Sequence, residues 1–195
     1  MTQNKLLSLL VFLIFLTNCK SQTTEQEFYS EEFKWKINIP IGFEKIETKD
    51  WNEYKEKGIK AIEETFDKKL ENQTRTLFSF KNGEQNIFES VVQPYDVEIN
   101  GEYSESHKYV KYIIYKTVKE NIKGAKIDTL SFKKTISGKE FDSFKITVSY
   151  PNNFVMNTIM YSRLFDKTEF SVNIIYIDES EGKKMIEKWE NSVFE

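Results

Sequence analysis

The chain has 195 residues, one cysteine and one histidine, and a formal net charge of -3 from 28 basic and 31 acidic side chains. One cysteine excludes an intrachain disulfide and any cysteine-cluster metal site, and one histidine excludes a multi-histidine site. Near-balanced charge argues against nucleic acid as a partner, because phosphate recognition needs a basic excess, while 39% hydrophobic and 15% aromatic residues suffice for a packed core.

Residues 1–18 differ from all that follow. Lys5 is their only charge, and Leu6 to Leu16 reads LLSLLVFLIFL. As a helix that run spans about 16 Å, short of the ~30 Å hydrocarbon core of a bilayer. A charged start, a short apolar run and then polar residues make the pattern of a secretory signal peptide. The next residues, Leu16-Thr17-Asn18-Cys19, resemble the lipobox of bacterial lipoproteins, with Asn18 where that family usually has Gly, Ala or Ser. The resemblance implies cleavage before Cys19, acyl chains on its sulfur and its new amino group, and attachment to a membrane. Two or three such chains make attachment lasting, since each buried methylene adds ~0.8 kcal/mol. Lys20, in place of an aspartate, is similar to lipoproteins not retained at an inner membrane. The expected location is therefore the outer membrane of a bacterial envelope, on its periplasmic or surface side. Residues 19–27, CKSQTTEQE, lack an apolar period and read as a polar tether ahead of a single domain, residues 28–195.

Within that domain Phe33, Trp35, Ile37 and Ile39 alternate with polar residues, a half-buried strand stopped by Pro40 and Gly42. Asp50, with Glu53 three residues on, predicts the capping box of a helix carrying Trp51, Tyr54, Ile59, Ile62 and Phe66 on one stripe. Thr76 to Lys81 and Asn86 to Gln93 read as a hairpin around Asn82-Gly83, a pair suited to the positive φ of a tight turn. A second helix is predicted over 104–123, with Val110, Ile113, Ile114, Thr117 and Val118 inward and Gly124 past its end. Four strands follow, turned near Ser137-Gly138, Pro151-Asn152-Asn153 and Asp166-Lys167, and the last runs from Phe170 to Ile177. A final helix opens at Asp178 with Glu181 in capping-box position and points Met185, Ile186, Trp189 and Val193 inward.

Consecutive strands joined by short turns are antiparallel, so the fold class is α+β, an antiparallel sheet sandwiched by about three helices. This order, with the Ile39-Pro40-Ile41-Gly42-Phe43 segment, resembles the PsbP-like and Mog-like sandwich group. That group shares no catalytic motif, so the resemblance implies a fold and no site residues. A cystatin-like helix on a strand meander is the alternative for the second half.

Chemistry is sparse. His107 is the only side chain with an ordinary pKa near neutrality, and it is expected to be exposed in the first turn of the second helix without a catalytic role. No G-x-S-x-G elbow, calcium loop or glycine-rich phosphate loop occurs. The expectation is a non-enzymatic binding domain with no cofactor, no metal and no catalytic residues. Two alternatives stand beside it: an envelope hydrolase working through two carboxylates, and a carrier enclosing a small apolar ligand. One surface stands out. Lys108, Lys111, Tyr112, Tyr115 and Lys119 share the side of the second helix opposite its apolar stripe. A cationic-aromatic face of this kind suits an envelope protein or an anionic ligand, or it is a solvated helix surface whose lysine stems and tyrosine rings cover the sheet.

Overall fold

The structure is a computed structural model and describes residues 24–195. The signal peptide, Cys19 and most of the tether lie outside the described residues.

The predicted hairpin is β4 (Arg75–Asn82) with β5 (Asn86–Pro94), in which Asn82 faces Asn86 across a three-residue turn. After the second long helix, β6 (Lys126–Ile136), β7 (Lys139–Ser149), β8 (Val155–Phe165) and β9 (Thr168–Tyr176) run as an antiparallel meander. The turn at Ser137-Gly138 takes φ of 48° and 75°, the left-handed geometry that matches strand twist. β9 then returns to pair with β5. With the short β3 (Glu44–Lys45) at its edge, this makes a seven-stranded sheet in the order β3-β4-β5-β9-β8-β7-β6.

A second sheet was not expected. β1 (Gln26–Ser30), β2 (Trp35–Ile39) and β10 (Val193–Phe194) form it in the order β1-β2-β10. β1 corrects the tether's boundary, because Gln26 and Glu27 already pair with Ile39 and Asn38. β10 corrects Val193, which is exposed while Phe194 is buried. The chain has left the helix by then, and in a strand neighbouring side chains point to opposite faces.

Four helices complete the fold. α1 (Thr48–Phe66) starts before Asp50, and Glu47 at its cap makes no side-chain bond, so the predicted capping box does not form. Ile46 sets the start instead, its amide held by the Ser79 carbonyl at 3.0 Å. α2 (Val97–Asn100) is a single unpredicted turn, and α3 (Tyr103–Asn121) is the expected second helix. α4 (Glu179–Glu190) opens as predicted, with Asp178 accepting from the amides of Ser180 and Glu181.

The two faces of the large sheet are covered differently. One meets the small sheet and α4 in an aromatic core, where Trp35 stacks on Phe78 and Phe194 at 5.7 Å and Trp189 meets Phe141 edge-on at 5.0 Å. The opposite face carries α1, through Trp51 on Ile87 and Ile175, and α3, through Ile114 and Val118 on Phe144, Ile146 and Val148.

Candidate functional site

Strand alternation decides what lies under α1 and α3. In β5, Phe88 and Val92 enter the aromatic core, so Ile87, Glu89, Val91 and Gln93 face the helices. In β9, Phe170, Val172 and Ile174 take the core side, and Glu169, Ser171 and Asn173 take the helical side. The result is a polar floor at the middle of the sheet. Over it a half-open cleft of about 160 Å³ lies between Val110 of α3 and the chain near Thr74, with Gln93, Glu169, Ser171 and Asn173 in its lining.

Two carboxyl groups dominate this floor. Glu89 is 9% exposed, and its Oε1 accepts from the Asn173 amide at 2.8 Å. Its Oε2 is closed from solvent and has no partner. Burial pushes the Glu89 carboxyl up to about 7, against the pull of the Asn173 hydrogen bond and the Lys55 ammonium. Glu169 is also raised by burial, although two donors reach it. The Gln93 amide donates to its Oε2 at 2.5 Å, and the Tyr103 hydroxyl donates to its Oε1 at 3.2 Å. Tyr103 in turn is raised, first by burial and then by the Glu169 charge.

His107 corrects the expectation of an exposed histidine: it is 3% exposed, stacked against Tyr103 at 6.0 Å. Burial, and then the Lys111 ammonium, hold its imidazole below the ordinary value. Its Nε2 meets no partner. The helical register turns Tyr103 and His107 down onto the sheet, while Ser104, Glu105 and Lys108 stay exposed.

The predicted cationic-aromatic surface is only partly open. Lys108 is exposed and paired with Glu105 at 2.6 Å. Lys111 bonds the Ser131 hydroxyl at 3.2 Å, and Lys119 lies over the Tyr115 ring at 5.6 Å. Tyr112 is half exposed, but its ring meets Phe66 of α1 edge-on at 6.1 Å. These residues share one side of the helix, and α1 occupies part of it. Among the described residues no helix is long and apolar enough to cross a membrane, and no three His, Cys, Asp or Glu side chains gather to hold a metal.

The cleft residues escaped the sequence reading, yet a signal for them exists. Glu89 falls in phase with Ile87 and Val91, and Glu169, Ser171 and Asn173 fall in phase with Ile175. A charged residue in the apolar phase of a central strand points inward.

An antiparallel sheet with helices on one face, and a small sheet and a helix on the other, defines a PsbP-like α+β fold. The chain is similar to the solution structure of cyanobacterial PsbP (CyanoP) from Synechocystis sp. PCC 6803, with a TM-score of 0.56 over 88% of this chain and 93% of that one. Identity is 9%, so the likeness concerns the fold. No protein-family model and no curated protein matches the chain.

Proposed function

We propose that the protein is a lipid-anchored binding domain of a bacterial cell envelope, non-enzymatic, moored through acyl chains on Cys19. The observation that carries this reading is the lone cysteine three residues past an eleven-residue apolar run, next to a folded domain that begins almost at once. Glu25 is held by Lys188 at 2.5 Å and β1 starts at Gln26. Only residues 20–24 separate Cys19 from that anchor point, a reach of about 20 Å at full extension. The domain then sits against its bilayer and meets envelope partners laterally or from the far side.

Intact-mass measurement of protein from its native cell tests the anchor. Loss of residues 1–18 and a gain of acyl mass is expected, and Cys19→Ala should abolish incorporation of a palmitate analogue. An uncleaved, unmodified chain sinks the reading. For the binding role, affinity capture from detergent-solubilised envelope should retain an envelope protein or anionic ligand, and Lys108→Glu with Lys119→Glu should weaken capture if the α3 surface carries it.

A second reading, a hydrolase using carboxylates, draws on Glu89 with its raised pKa and free oxygen. Its second carboxylate would be Glu169. The register pairs Glu89 with Asn173 and Gln93 with Glu169, which sets the two backbone positions about 13 Å apart. Glycosidase pairs flank one site, whereas the cleft is lined by Glu169 and not by Glu89, so the geometry favours binding over hydrolysis.

A further inference from the structure

We infer that the cleft between α3 and the sheet binds a small organic cation, a primary ammonium or guanidinium on a short alkyl body, seated on Glu169 and the side-chain oxygens of Gln93 and Asn173. The inference rests on the reading of the protein as a binding domain and names the ligand class.

The floor is rich in acceptors. Gln93 donates its amide to Glu169 at 2.5 Å, and Asn173 donates its amide to Glu89 at 2.8 Å. An ionised carboxylate only accepts, so both amides are turned with their nitrogens inward to the acids. Among the described residues neither amide oxygen accepts a hydrogen bond, and both residues line the cleft, so a ligand that fits must bring donors.

The floor also lacks a cation. Among the described residues Glu169, which lines the cleft, takes part in no ion pair, and the Lys55 ammonium that acts on Glu89 bonds Thr76 at 3.4 Å. A buried carboxylate costs several kcal/mol unless a positive charge meets it. A bound cation supplies that charge, whereas an anion would add repulsion and a neutral alcohol would leave the charge unmet.

Shape narrows the class further. Val91, Val110 and Met160 give the cleft an apolar side, and its volume of about 160 Å³ compares with the ~150 Å³ cavity that admits benzene. A ligand of about six heavy atoms fits. A divalent metal ion fits poorly, because calcium takes ~6–8 oxygens and no three acidic or imidazole side chains converge among the described residues.

The test uses the full chain in nonionic detergent, with methyl spectra of Met160 and Val110 read during titration. Propylammonium chloride, sodium propionate and 1-propanol are the probes, at constant ionic strength. Saturable shifts with propylammonium alone are expected. Glu169→Gln should weaken them at least tenfold, and Val110→Trp should abolish them by filling the cleft. An unsaturating response to propylammonium, an equal response to propanol, or undiminished binding in both variants overturns the inference. A protein that captures an envelope partner yet ignores the amine contradicts this inference and leaves the broader reading standing.

Discussion

Replacing Glu89 by Gln removes an ionisable group from the interior and keeps an oxygen for the Asn173 amide to reach. In the folded protein this carboxyl is raised from the ordinary 4.5 to about 7. Between those pH values the folded state holds a proton that the unfolded chain has released. Raising the pH therefore favours unfolding, and stability present below about 4.5 is lost as the pH climbs through about 7. At ~1.4 kcal/mol per pH unit, the loss is roughly 3 kcal/mol. Glu89→Gln should match the wild type near pH 4.5 and exceed it by about that much at pH 8. Urea unfolding of both proteins across this range, read as a difference, cancels the other titrating groups, including Glu169 and His107. A stability difference that stays constant from pH 4.5 to 8 would refute the claim that this carboxyl is closed from solvent in the native state.

Three further outcomes follow from the packing. Trp189→Ala empties a fully buried site ringed by Trp35, Phe141, Tyr161 and Phe194, and should lower urea stability by about 3–5 kcal/mol. Two glycines in helices should respond with opposite signs in thermal melts: Gly182→Ala drives a Cβ to 2.5 Å from the Tyr176 ring and destabilises, while Gly58→Ala meets open space and stabilises by up to about 1 kcal/mol. Asp178→Ala removes the acceptor for the Ser180 and Glu181 amides, and should cost about 1 kcal/mol in the same melts.

Local chemistry made much of the fold legible. Alternation in Phe144, Ile146 and Val148, the Ser137-Gly138 and Asp166-Lys167 turns, and Asp178 ahead of α4 each act within a few residues, so the chain states them directly. The Asp50 capping box failed because Ile46, anchored to Ser79 on another strand, set where α1 begins. β10 was invisible because two residues carry no period; it exists only because Phe194 finds Trp35.

The cleft depended on more distant partners still. Glu89 and Glu169 stand in the inward phase of their strands, but a sequence does not say whether an inward face will be covered by apolar side chains or left with a gap. That was settled by where α1 and α3 cross the sheet: the helices meet at Phe66 and Tyr112, and α3 leaves a gap beside Val110 over Gln93 and Asn173. The same crossing buried His107. The sequence by itself determined β2, the β4–β5 hairpin, the β6–β9 meander and three of the helices, because hydrophobic period and turn chemistry are short-range. Only the tertiary structure decided the second sheet and the polar cleft, because burial is a property of elements that meet from far apart in the chain.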